Sequence, residues 1–150
     1  MKNKINPALQ KFEQFIGSWE MEIFNASFLP DAQATIKASA SFEWFEEGEF
    51  LIFRQGQKNK GTPWAIWFIG HDKDAPNYTV LYMDDQSSSR VYEMSFENTL
   101  WKVWRNGPGF RQRFTGAVNQ EQKIISGNWE RSVDGENWEH DFGLTYKKLD

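Results

Sequence analysis

The stretch TIKASASFEWF, residues Thr35 to Phe45, alternates polar and apolar side chains from Thr35 to Trp44. Successive side chains of an extended strand point to opposite faces. One face of this strand would therefore carry only apolar side chains, namely Ile36, Ala38, Ala40, Phe42 and Trp44. The alternation predicts a β-strand with one buried side and one side facing water.

Similar segments follow one another along the rest of the chain, and no helical pattern interrupts them after residue 18. The breaks carry turn residues, as at Glu47-Gly48, Asn59-Lys60-Gly61 and Asp134-Gly135. This arrangement excludes alternating strand–helix units and favours hairpins in series. The predicted strands lie near residues 18–25, 34–45, 49–57, 63–70, 77–83, 90–96, 99–105, 110–116, 123–130 and 137–148.

An open sheet of about ten strands would leave two unpaired edges and one exposed apolar face. Closure into a barrel removes both problems, while a sandwich, the alternative architecture, would also bury the apolar faces. We predict an all-β fold: a single antiparallel up-and-down barrel, forming one domain over residues 1–150.

One short helix precedes the strands. Asn6 can cap it, and Pro7 suits its first position because proline lacks an N–H that would go unpaired there. Three apolar residues then recur at helical spacing: Leu9, Phe12 and Ile16. The predicted helix, over about residues 7–16, is too short to be stable alone. We expect it to lay its apolar face on the barrel and close one end.

The composition limits the class of function. The chain has no cysteine, so it has neither disulfides nor a thiolate metal site, and its net charge of −4 argues against non-specific nucleic-acid binding. The N-terminus is polar, and no apolar run approaches the ~20 residues of a membrane helix. We therefore expect a cytoplasmic protein. Aromatic residues make up 17% of the chain, including 8 Trp and 13 Phe, which suits a packed core or a ligand cavity.

Two sets of motifs resemble known families. Ile16-Gly17-Ser18-Trp19, between the helix and the first strand, resembles the opening of calycins, the group of lipocalins and fatty-acid-binding proteins. The C-terminal half resembles a bacterial domain family of unknown function with a calycin-like barrel, through the motifs FTG at 114–116, ISGNWE at 125–130, SVDGENW at 132–138 and LTYKK at 144–148. The resemblance covers about residues 10–148. It implies about ten antiparallel strands, with the Trp across the barrel floor, and no settled activity.

The alternation also indicates which side chains point into the barrel. In the third strand it places Phe50, Ile52 and Arg54 inward. An inward arginine needs a carboxylate partner, a wet cavity or an anionic ligand group. Arg90 and Arg105 are expected at strand ends, where they can reach water. The predicted ligand-binding residues are Arg54, Tyr82, Tyr92, Trp101, Trp129 and His140.

His140 raises the question of haem. Nitrobindins, more distant relatives of similar shape, hold haem through a histidine on the last strand, upstream of a comparable Thr-Tyr-Lys-Lys. Here Asp141 occupies the matching position, and a shift of one residue reverses the face of a strand. A hydrogen-bonded structural role is therefore the preferred interpretation of His140. We predict no cofactor and no metal site, and we interpret Asp84-Asp85 as a solvated turn.

The sequence contains none of the usual catalytic signatures, such as a nucleophile elbow, a phosphate-binding glycine loop or a zinc-protease motif. We therefore predict no catalytic residues and favour a protein that binds a small apolar or amphipathic molecule in its lumen. An isomerase- or decarboxylase-like enzyme that uses Tyr, Arg and His groups in the same cavity is the alternative. The many aromatic side chains could instead form the face of a homodimer.

Overall fold

The computed structural model describes residues 5–31, 33–57 and 61–149. The polar Met1–Lys4 segment and Asn59-Lys60 of a predicted turn lie outside these residues. Ten strands follow the N-terminal helix: β1 (Gly17–Phe24), β2 (Ile36–Phe45), β3 (Phe50–Gly56), β4 (Ala65–His71), β5 (Tyr78–Asp84), β6 (Ser89–Glu97), β7 (Leu100–Arg105), β8 (Arg111–Val118), β9 (Ile124–Ser132) and β10 (Glu139–Lys148).

The ten strands close into one antiparallel barrel in which each strand pairs with its neighbours in the sequence. The last strand returns to the first, so that Trp19 lies opposite Lys148 and Ile23 lies opposite Leu144. The predicted fold class is confirmed, and the sandwich alternative is excluded. Neither of the two helical segments in the described residues combines the length and apolar character that crossing a membrane requires.

The N-terminal helix runs from Pro7 to Phe15 and is a 3₁₀ helix. Asn6 caps it as predicted, because its side-chain oxygen accepts a hydrogen bond of 3.0 Å from the backbone N–H of Ala8. The buried face differs from the prediction: it consists of Leu9, Phe12 and Phe15, three residues apart, with Ile16 only partly buried. A 3₁₀ helix has three residues per turn, so this spacing places all three side chains on one side of the helix.

Hydrogen bonds between side chains and backbone fasten this helix to the barrel. Tyr78 donates to the carbonyl of Ala8 over 2.6 Å. The ammonium group of Lys11 donates to the carbonyl of Phe96, and that of Lys148 donates to the carbonyl of Gln14. The helix therefore seals this end of the barrel, which we call the helix end.

The half of the lumen next to the helix is filled by aromatic rings. Trp101 lies at its centre, with 1% of its surface exposed. Phe42 and Phe53 stack beside it with ring centroids 4.0 Å apart. Trp101 also contacts rings from four more directions: Phe15, Trp67, Phe114 and Tyr146. These rings pack against one another and form the core of this half.

Two glycines make room for the ring of Phe114. Gly116 of β8 and Gly127 of β9 lie opposite each other. A Cβ atom at Gly127 would lie 2.6 Å from the Phe114 ring and 2.5 Å from the carbonyl oxygen of Thr115. The Phe114 ring thus packs directly on the backbone of these two glycines, and any larger residue there would force neighbouring atoms to move. From there it contacts both Trp101 in the core and Trp129.

Candidate functional site

The end of the barrel opposite the helix is hollow. Its cavity, which we call the mouth cavity, has a volume of about 470 Å³. Apolar side chains form much of its wall, among them Met21, Ile23, Ala65, Trp67, Trp129, Phe142 and Leu144. The polar side chains are Gln55, Tyr82, Asp84, Asp85, Gln86, Arg90, Tyr92 and Gln112. The cavity therefore has the mixed lining of a small-molecule site.

Tyr82 and Asp84 form one polar pair at the rim. The Tyr82 hydroxyl donates to Oδ2 of Asp84 over 2.7 Å. Oδ1 of Asp84 accepts from the backbone N–H groups of Gln86 and Ser88, at 3.0 and 2.9 Å. Burial raises the pKa of Tyr82, and the hydrogen bond and charge of Asp84 raise it further.

Asp84 itself stays ionised. Its partial burial alone would raise the pKa of this carboxyl. The hydrogen bonds from Ser88, Tyr82 and Gln86, together with the charge of Arg90, outweigh that effect and hold the pKa below its ordinary value. The rim thus carries the negative charge of Asp84 as well as the positive charge of Arg90.

The next strand brings a second polar pair to the same side of the cavity. Tyr92 donates its hydroxyl proton to Oε1 of Gln112 over 2.5 Å. Burial raises the pKa of Tyr92, and Arg90 partly offsets that increase. The guanidinium carbon of Arg90 lies 5.4 Å from the centre of the Phe110 ring, and Arg90 is paired across the strands with Tyr82.

A third polar pair lies on the opposite wall. The hydroxyl of Tyr146 donates to Oε1 of Gln55 over 2.7 Å, and both side chains are buried. Burial raises the pKa of Tyr146 well above its ordinary value. The pKa values of Tyr82 and Tyr92 in the cavity wall and of Tyr146 in the buried core are all raised. These hydroxyls therefore remain protonated at neutral pH and act as hydrogen-bond donors rather than as bases.

Three of the predicted ligand-binding residues line the mouth cavity: Tyr82, Tyr92 and Trp129. Their rings are neighbours, since the ring centroids of Tyr82 and Tyr92 are 5.6 Å apart and those of Tyr92 and Trp129 are 6.1 Å apart. Trp101 lies deeper, within the core at the helix end, and is not among the residues that line the cavity.

The inward orientation predicted for Arg54 was wrong. Its side chain lies on the outer surface, is 43% exposed and forms an ion pair with Glu43. The whole of β3 is reversed relative to the prediction, because Phe50 is exposed whereas Phe53 and Gln55 are buried. This strand is apolar on both faces near its start, so alternation alone cannot show which face is inward.

His140 lies outside the barrel lumen. It is exposed, and its Nε2 is 2.9 Å from the carbonyl oxygen of Asn25. This agrees with the hydrogen-bonded role preferred above. The pairing of β10 with β9 is interrupted by a bulge between His140 and Phe142.

The other histidine, His71, packs on Tyr78 near the helix end. Neither histidine lines the mouth cavity, so a haem group ligated by histidine does not fit the residues present there.

Four polar residues of this wall were not predicted from the sequence. Asp84 was interpreted as a solvated turn residue and Arg90 as a strand-end residue that reaches water. Gln112 falls on the same alternating face as Phe114, so the pattern contained a signal for it. Gln55 was missed because of the error in the orientation of β3, since it occupies the face opposite Arg54.

Comparison with known proteins supports the fold alone. No protein-family model and no curated protein sequence matches this chain. Among solved structures, the crystal structure of Rv2717c from M. tuberculosis is similar, with a TM-score of 0.60 and 10% sequence identity. The similarity covers 98% of this chain and 100% of that one. At this identity the shared property is the barrel, and membership of the calycin group stays a prediction.

Proposed function

We propose that this protein binds one small apolar or amphipathic molecule in the mouth cavity. The observation that carries the proposal is the division of the lumen into a solid half at the helix end and a hollow half at the mouth. The volume of about 470 Å³ falls within the range of small-molecule sites. A barrel that needed only a stable core would fill this space with side chains.

The lining explains why an amphipathic ligand is favoured. Trp67 and Trp129 present large apolar surfaces, with their ring centroids 6.4 Å apart and nearly perpendicular. Ile23 and Leu144, which are opposite each other in β1 and β10, extend this surface on the other side. The apolar part of a ligand would displace water from these surfaces, while its polar part would meet the tyrosine–glutamine pairs.

The pKa values of the tyrosines bear on the enzymatic alternative. General acid–base catalysis works best when the pKa of the group lies near the working pH. Burial raises the pKa values of Tyr82 and Tyr92, and so moves them further from neutral pH. His140 lies outside the lumen. No feature of the cavity favours an isomerase or decarboxylase over a binding protein. A cytoplasmic location stays part of the proposal.

A cavity-filling variant tests the proposal. Ala65 is buried and lines the mouth cavity, so Ala65→Trp should occupy it. Ala117 of β8 is exposed, so Ala117→Trp serves as the matched control. The wild type and the control should bind anilinonaphthalene sulfonate at one saturable site, detected by fluorescence. Ala65→Trp should lose that site while keeping the far-ultraviolet circular dichroism of the barrel.

Two results would overturn the proposal. One is a folded Ala65→Trp variant that binds the dye with wild-type affinity, because the dye would then sit elsewhere. The other is a wild-type protein that shows no saturable binding of this dye or of neutral naphthalene derivatives.

A further inference from the structure

We infer that the ligand of the mouth cavity carries oxygen acceptors, such as a carbonyl or a carboxylate, and that Gln55 and Gln112 recognise them through their side-chain N–H groups. This inference rests on the proposed function. It goes further because it assigns the chemical class of the ligand and two residues that determine specificity.

The first observation is that a tyrosine fixes the orientation of each glutamine. Tyr146 donates to Oε1 of Gln55, and Tyr92 donates to Oε1 of Gln112. A side-chain amide offers one acceptor oxygen and one nitrogen with two donors. Because each oxygen is engaged, each Nε2 is the group left for a ligand. Within the described residues neither Nε2 donates a hydrogen bond, although both side chains line the cavity.

The second observation is the position of the two glutamines around the barrel. Gln55 is on β3 and Gln112 is on β8. Four strands separate β3 from β8 in either direction around the closed ring of ten, so these strands are diametrically opposite. The two amides therefore face one ligand from two sides. Such an arrangement fixes the orientation of a ligand as well as its affinity.

The third observation is the balance of donors and acceptors in the wall. The oxygens of Asp84 already accept from Tyr82, Gln86 and Ser88. Besides the two glutamine amides, Arg90 offers guanidinium donors at the rim. The indole N–H of Trp67 is buried in the same wall and has no hydrogen-bond partner among the described residues. Asp85 also lines the cavity and carries acceptor oxygens, but it is exposed at the rim. The polar atoms of the buried wall that lack a partner within this part of the chain are therefore N–H donors.

This balance selects against donor-only ligands. An amine or ammonium group placed beside Gln55 and Gln112 would bring N–H groups next to the amide donors and leave them unpaired there. It could pair only with the carboxylates at the rim, Asp84 and Asp85. The positive charge of Arg90 is partly balanced by the ionised Asp84, whose pKa it helps to lower. A neutral carbonyl is therefore sufficient, and a negative charge on the ligand is not required.

The test compares four naphthalenes that carry one substituent at the same ring position: acetyl, carboxylate, ethyl and aminomethyl. Their dissociation constants are measured by displacement of anilinonaphthalene sulfonate. A net hydrogen bond corresponds to about a three- to tenfold change in affinity. We expect acetylnaphthalene and naphthoate to bind at least about threefold tighter than ethylnaphthalene, and the aminomethyl compound to bind most weakly.

Variants of Gln112, which is only partly buried, assign the effect to that residue. Gln112→Leu should reduce the preference for acetylnaphthalene over ethylnaphthalene, measured as the ratio of their two dissociation constants. Gln112→Glu has the same shape but presents an acceptor in place of the donor. It should weaken naphthoate binding and strengthen binding of the aminomethyl compound. Gln10→Leu, an exposed glutamine of the helix, is the matched control and should change none of these constants.

The outcomes separate this inference from the proposed function. If ethylnaphthalene binds in the cavity but acetylnaphthalene and naphthoate bind no tighter, the inference is wrong and the binding function stands. If Gln112→Glu leaves all four constants unchanged, Gln112 does not recognise the ligand and the inference is equally wrong. If no naphthalene binds to the wild type, both statements fall together.

Discussion

Gly127→Ala should destabilise the barrel although it adds a single methyl group. The added Cβ would lie 2.5 Å from the carbonyl oxygen of Thr115 and 2.6 Å from the Phe114 ring, closer than the 3.0 Å below which neighbouring atoms must shift. One of these neighbours is backbone, so the strain cannot be relieved by turning a flexible side chain. Overpacking of this kind costs about 1–3 kcal/mol.

Urea denaturation measures this loss, and thermal unfolding should show a lower midpoint, by roughly 2–4 °C for each kcal/mol in a chain of this size. Gly61→Ala is the matched control, because a Cβ at Gly61 meets no atom of the described residues within 4 Å. We expect the control to stay within about 0.5 kcal/mol of the wild type, as is usual for surface substitutions. If Gly127→Ala and Gly61→Ala are equally stable, the packing of Phe114 does not require a glycine at position 127.

Two further predictions concern charge. Burial raises the pKa of all four tyrosines above the ordinary value of 10, so the folded chain holds these protons more tightly than the unfolded chain. Their contribution to stability is complete below pH 10 and is lost as the pH rises through the folded values; tyrosinate absorbance at pH 10 should therefore be small until the barrel unfolds. Arg54→Ala should lower the free energy of unfolding by less than about 1 kcal/mol, because its partner Glu43 is also half-exposed. Loss of dye binding in that variant would contradict its placement outside the lumen.

The sequence predicts the barrel well because the signals for the fold are local. In β2, polar and apolar side chains alternate without exception from Ile36 to Glu43. This one pattern predicts both the strand and the face that points inward. In β3, the run from Phe50 to Phe53 is apolar throughout, and its inner face is set by pairing with β2 and β4. The presence of a strand could therefore be predicted there, but not which of its two faces points into the barrel.

The mouth cavity was harder to predict than the fold. Tyr82, Tyr92 and Trp129 were found because large aromatic residues on an inner face are conspicuous in a sequence. The side chains of Gln55 and Gln112 are oriented by tyrosines 91 and 20 positions away, and no local pattern in the sequence indicates these contacts. Whether a lumen is filled or hollow depends on how the rings pack, as Trp101 and Trp129 show. Both lie on inner faces, yet only Trp129 borders the cavity.

The pairing of β1 with β10 has a consequence for how the chain is made. Gly17–Phe24 is synthesised well before its partner Glu139–Lys148, because eight other strands lie between them in the chain. Until β10 is available, the growing sheet has two edge strands with unpaired backbone N–H and C=O groups, which can pair with other chains. Closure by such distant segments is also slow. The nascent polypeptide is thus most vulnerable to aggregation just before its last ten residues of sheet arrive.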